Sequence, residues 1–163
     1  MANDALKSRV FHEVTTHFVD HGRAPHYTEL AALMGITPDA AKEALHEVAD
    51  TSWATWYIPE TEYIQVWAPF SNVPTQHAIT VEGEQKWFGQ CGPEAFAVSW
   101  LFPGKETRIN SRCLDCAEPV NAIMKDGELT ALDPADAVVV VTVPFDQIIT
   151  PFNSDGARSL AFS

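Results

Sequence analysis

The sequence predicts an α+β fold: a winged-helix-like unit of three helices packed against a small mixed β-sheet core. Apolar residues recur at helical spacing through the first fifty positions. From Trp53 onward, short aromatic and β-branched runs alternate with turn signals. With 46% hydrophobic and 20% charged residues, the 163-residue chain has enough apolar material to bury a core. That length suits one domain or two small ones sharing a core, divided here into residues 1–68 and 75–163.

The first element is a helix over Asp4 to Asp20, with Leu6, Val10, Val14 and Phe18 at intervals of four. His21-Gly22 ends it and Arg23-Ala24-Pro25 turns the chain. Thr28 is the expected cap of a short second helix, Glu29 to Met34, which Gly35 stops. Thr37 and Pro38 supply an N-cap and a first-turn proline for a third helix through Ala49, with Ala41, Ala44, Leu45 and Val48 on its buried face. Trp53 to Ala68 reads as two strands around the turn Pro59-Glu60-Thr61-Glu62.

Three helices and a hairpin have the order of a winged helix, and charge decides against a DNA-binding role for it. Residues 1–67 hold Lys7, Arg9, Arg23 and Lys42 against ten acidic residues, and the third helix carries Lys42 beside Asp39, Glu43, Glu47 and Asp50. A groove reader needs several cationic contacts to phosphates and base edges. The formal net charge of −12 extends the argument to nucleic acid in general and to anionic lipid surfaces. A small-molecule substrate is compatible with it; oligomeric state is not legible.

Pro69 to Pro74 reads as a linker. In the second unit, His77 to Val81 is a strand, Glu82-Gly83-Glu84 a turn, and Lys86 to Phe88 a return strand. Gly89 to Pro93 breaks regular structure before a helix over Glu94 to Leu101. Strands follow at Thr107 to Ser111 and Glu118 to Lys125, with a turn at Asp126-Gly127. After a loop at Asp133 to Asp136, the β-branched run Ala137 to Val143 has the pattern of a buried strand, and Ser159 to Phe162 of a final one.

The residue types that carry chemistry gather between Trp87 and Val120. All three cysteines, Cys91, Cys113 and Cys116, lie there, and Glu94 follows Cys91 by three positions. Thiolates bind soft metals, and a neighbouring carboxyl is a proton donor or acceptor. A helix starting near Pro93 places Cys91 at its N-terminus, where free N–H groups favour a thiolate. Cys113-x-x-Cys116 is the spacing of half a zinc site, of a redox dithiol or of two structural thiols; a zinc ribbon would need a second pair. The six histidines form no triad or zinc-protease motif and read as surface or capping residues.

Taken in order, Cys91-Gly92-Pro93-Glu94, Arg108 to Cys113, Pro119-Val120, Asp133-Pro134-Ala135 and the run to Pro144 resemble the alkylmercury lyase (organomercurial lyase) family. The resemblance implies a core of that family's type and protonolysis of a carbon–mercury bond. Thiolates hold the mercury and an acid delivers a proton to the departing carbon. It places Cys91 as the first thiolate and Glu94 as the proton donor, and matches Cys113 to a largely structural cysteine.

Two features depart from the family pattern. Glu94 stands where the family has aspartate, and Phe145 to Ser163 lacks the second mercury-binding cysteine. Either Cys113 or Cys116 takes that place, or cleavage has been lost. The metal-ligating candidates are therefore Cys91, Cys113 and Cys116, with mercury as substrate or product and no cofactor. The alternatives are a non-catalytic soft-metal binder (Hg, Zn or Cu) on these three cysteines, and a winged-helix regulator sensing a metal or small molecule. The lyase reading requires Cys91 and Glu94 to face an accessible cavity. An odd cysteine count, the absence of a secretory h-region and the lack of a membrane-length apolar run point to the cytoplasm.

Overall fold

The computed structural model describes residues 4–52 and 54–139. Helix α1 spans Asp4–His21, α2 Tyr27–Met34 and α3 Pro38–Thr51, and a hairpin of β1 (Thr55–Tyr57) and β2 (Ile64–Trp67) follows. Thr37 caps α3 as expected, accepting from the Ala40 N–H at 3.3 Å with Pro38 in the first turn. The cap of α2 is His26, not Thr28: its ring accepts from the Thr28 N–H while Glu29 reaches back to the His26 N–H at 2.9 Å. Gly35 ends α2 in the left-handed conformation at φ 66°, which a side chain would resist.

The stretch read as a linker is part of the sheet. Phe70–Ser71 forms β3, pairing with β2 on one side and with β5 (Glu84–Gly89) on the other. Phe70 is fully buried and stacks on Phe18, ring centroids 4.9 Å apart. Pro69 and Pro74 flank this two-residue strand without entering it, so the prolines mark its ends.

Beyond β5 and its partner β4 (Ala78–Val81) come α4 (Gly92–Ala97) and a 3-10 turn (Val98–Leu101), then β6 (Glu106–Arg112), β7 (Pro119–Lys125) and β8 (Glu128–Asp133). One eight-stranded sheet runs β1-β2-β3-β5-β4-β6-β7-β8. Every pairing among the described strands is antiparallel, where the sequence reading expected a mixed sheet. Tight turns join β4 to β5 and β7 to β8, whereas a parallel neighbour needs a long crossover. The strand β8 escaped the sequence reading because it is an exposed edge with no clean alternation. The strand expected over Ala137 to Val143 falls largely, and that over Ser159 to Phe162 wholly, outside the described residues.

The helices share the sheet's core. Val10, Val14 and Phe18 of α1 bury with Leu30, Leu45, Trp67, Phe70 and Ile79. Two indoles fasten α1 to the strands: Trp87 donates to the Phe18 carbonyl at 2.7 Å in the interior, and Trp67 to the Thr15 hydroxyl at 3.2 Å. Such anchoring satisfies the polar tip of an otherwise apolar buried ring. On α3, Lys42 and His46 both meet Glu62 of the β1–β2 turn, at 2.7 and 2.8 Å. The cation an acidic helix would offer to a phosphate is thus engaged within the chain.

Candidate functional site

The Cys91–Glu94 turn is held by backbone on both sides. The Gly89 N–H donates to the His77 carbonyl at 2.9 Å, the Thr75 hydroxyl to the Gly89 carbonyl at 2.7 Å, and the Gln90 N–H to the Pro69 carbonyl at 3.2 Å. Gly89 is where the strand and α4 touch. A Cβ there would lie 2.6 Å from the Ala95 Cβ and 2.9 Å from its Cα, closer than side chains tolerate. With that approach α4 begins at once: Cys91 is its N-cap residue, extended at φ −147°, and its carbonyl accepts from the Ala95 N–H at 2.9 Å. Pro93 lies in the first turn, as the sequence predicts.

Both candidate groups are buried, Cys91 at 4% and Glu94 at 8% exposure. Burial pushes the Cys91 thiol up to about 12, and the nearby Glu94 carboxyl adds to the effect. The Glu94 backbone N–H works in the thiolate's favour and is outweighed. The expectation that a helix N-terminus would stabilise the thiolate is therefore reversed. A six-residue helix has little dipole to set against the loss of water around a sulfur anion.

Burial also raises the Glu94 carboxyl to about 7, with Cys91 pulling weakly the other way. Neither carboxyl oxygen has a hydrogen-bond partner in proper geometry among the described residues. An unpartnered carboxyl in the interior keeps its proton up to about neutral pH, the range in which such a group can both take and give one.

The accessibility expected of this pair is not met, since both groups are buried. One surface cleft among the described residues, of about 540 Å³ along α1 and β4–β5, reaches Asp20, Glu82, Lys86 and Phe102 but neither Cys91 nor Glu94. A histidine does border the turn. The Cε1 atom of His77 is 3.9 Å from where a Gly92 Cβ would sit, and its Nδ1 is hydrogen-bonded with the Ser111 hydroxyl at 2.7 Å. Burial lowers its pKa. Spacing could not have found it, since its position depends on the pairing of β4 with β5 and β6.

Cys113 and Cys116 occupy the exposed turn between β6 and β7. The Cys113 N–H donates to the Glu118 carbonyl at 2.9 Å and the Ala117 N–H to the Cys113 carbonyl at 3.0 Å. The backbone N–H groups of Cys116 and Asp115, with the Cys116 thiol, lower the pKa of Cys113; at Cys116 the Glu118 N–H opposes but does not prevent a rise, to which Cys113 contributes. All three cysteines are free. No three or more His, Cys, Asp or Glu side chains are grouped to hold one metal ion among the described residues, so Cys91, Cys113 and Cys116 do not meet in a preformed common site.

Comparison with known proteins follows the same stretch. Residues 70–151 match the family model described as alkylmercury lyase. The fold is similar to the crystal structure of the mercury-bound form of MerB2, with a TM-score of 0.67 and 22% sequence identity over 90% of this chain and 68% of that one. No curated protein matches the chain. No helix among the described residues is long and apolar enough to cross a membrane.

Proposed function

This chain belongs to the alkylmercury lyase family, and from that premise we propose that it cleaves a carbon–mercury bond of a small organomercurial by protonolysis, with Cys91 as the sulfur ligand and Glu94 as the proton carrier. One observation supports the reading above the others: a thiol and an unpartnered carboxyl share one buried helical turn, and the carboxyl's pKa of about 7 suits it to give and take a proton near neutral pH.

The steps balance without a further reactant. Ionised Glu94 takes the Cys91 proton as the sulfur forms its bond to mercury and the mercurial's original anion leaves. Soft sulfur binds soft mercury and pushes electron density toward it. The newly neutral Glu94 then gives that proton to the mercury-bound carbon, the bonding electron pair stays with carbon, and the hydrocarbon departs. Mercury remains on Cys91 beside the regenerated Glu94 carboxylate, whose negative charge balances it. A high thiol pKa is no obstacle when the base stands beside the thiol, because the proton moves as the sulfur–mercury bond forms. Entry of substrate requires the turn to open, since Cys91 is 4% exposed.

The test is hydrocarbon release from an aryl mercurial, read by gas chromatography. Cys91→Ser abolishes release, and Glu94→Gln lowers it by roughly 10²–10⁴-fold, the usual worth of a positioned acid. Release unchanged in Glu94→Gln refutes the proton-carrier role, and release unchanged in Cys91→Ser refutes the sulfur-ligand role.

A further inference from the structure

The Cys113-Leu114-Asp115-Cys116 turn stands outside the chemistry just described, and its construction is that of a small chelate. Its ends are paired in the ladder, Arg112 opposite Pro119. Inside, the Cys113 N–H closes on the Glu118 carbonyl and the Ala117 N–H on the Cys113 carbonyl, with Ala117 in the left-handed region at φ 61°. The Arg112 guanidinium donates to the Ala117 carbonyl at 3.0 Å. The loop between the thiols is thus fixed before any ligand arrives. Cys113 is half-buried and Cys116 exposed, so solvent-borne species reach this turn directly.

The donor count selects the kind of ion. Zinc in a structural site takes four ligands, and iron–sulfur clusters also ask for several thiolates. No group of even three donors surrounds this turn among the described residues. Two thiolates and nothing else satisfy a soft d¹⁰ ion of low coordination number. We propose that Cys113 and Cys116 form a self-contained two-thiolate capture site for such an ion, Hg(II) being the probe, separate from the Cys91–Glu94 pair and independent of whether that pair cleaves anything.

Capture is a ligand exchange. Cys113 sulfur attacks the ion and displaces its first ligand, Cys116 displaces the second, and the two thiol protons leave with the departing ligands. From a bis-glutathione complex the products are the protein dithiolate–Hg(II) and two molecules of glutathione, so no oxidant or reductant enters.

The experiment is a titration of the reduced full chain with HgCl₂ against excess glutathione, followed by native mass spectrometry and thiolate–mercury ultraviolet absorption, with far-ultraviolet circular dichroism to verify folding. Excess glutathione strips any ion held by the single sulfur of Cys91, so the wild type and Cys91→Ser each retain one ion, at the Cys113–Cys116 turn. Cys113→Ser and Cys116→Ser each lose roughly 100-fold or more in affinity, because the second sulfur no longer binds intramolecularly. Wild-type retention in the Cys113→Ser/Cys116→Ser double variant overturns the proposal, as does loss of the ion in folded Cys91→Ser or equally tight retention of Zn(II).

Discussion

Cys91 and Cys113 belong to one sheet system twenty-two positions apart in sequence, yet their surroundings treat a sulfur anion in opposite ways. At Cys91 burial removes water and a carboxyl stands near, so the thiol stays protonated. At Cys113 solvent remains, and the backbone N–H groups of Cys116 and Asp115 lower the thiol's pKa. The same side chain is a shielded thiol in one place and an accessible one in the other. Reactivity therefore follows from the elements around each sulfur: a strand packed on a short helix in the first case, a closed hairpin turn in the second.

The largest effect that bears on this contrast is alkylation rate. With Cys91 pushed up to about 12 and Cys113 lowered below the ordinary thiol value, the thiolate fraction at pH 8 is far larger at Cys113. The greater nucleophilicity of the more basic sulfur recovers about half of that difference on a logarithmic scale, and burial of Cys91 slows access further. Peptide mass spectrometry after brief iodoacetamide treatment should find Cys113 modified first and Cys91 last; equal rates would erase the distinction.

A second effect concerns stability. Glu94 titrates near 7 in the folded chain and near 4.5 unfolded, so between those values the native state holds the extra proton. Stability therefore falls as pH rises from about 4.5 to 7, by roughly 3 kcal/mol if the whole shift is expressed. Glu94→Gln removes that slope and makes the protein more stable than wild type at pH 8. Urea denaturation at pH 5 and pH 8 checks both.

Gly89→Ala probes the packing that sets Cys91 in place. Its new methyl group meets Ala95 at 2.6 Å, so β5 and α4 must separate. The expected loss is about 1–3 kcal/mol by urea denaturation, with Cys91 alkylated faster than in the wild type. Unchanged stability would mean that the two elements yield freely.

The smallest effect lies far from either thiol. Arg23 grips Glu29 through two hydrogen bonds of 2.7 and 2.9 Å, and with the His26 N–H holds its carboxyl down to about 2. That contribution is present above about pH 4.5 and is lost as pH falls toward 2. Thermal melts of Glu29→Gln should lie slightly below wild type at pH 6 and converge with it at acid pH. The pair is exposed, so the difference is small.

Much of this architecture was legible in the sequence because it rests on local signals. The apolar period of α1, the Thr37-Pro38 start of α3 and the hairpin around Pro59 to Glu62 all stand where those signals place them. β3 did not, because two residues between prolines carry no periodicity, and only the burial of Phe70 reveals the strand. The Cys91–Glu94 turn was legible as a motif, but its electrostatics were not. A helix start predicts a stabilised thiolate, and only the fold shows that burial outweighs it. His77 and Ser111 are 34 positions apart and meet only through the register of β4 with β6.

The proton on Glu94 is the centre of the account, and carbon-13 NMR of the carboxyl groups reads it directly. The Glu94 resonance, assigned by its disappearance in Glu94→Gln, should titrate with a midpoint near 7. A midpoint near 4.5, the value of an ordinary glutamate, would contradict the account, because so weak a base would be a poor acceptor of the Cys91 proton that it must later deliver.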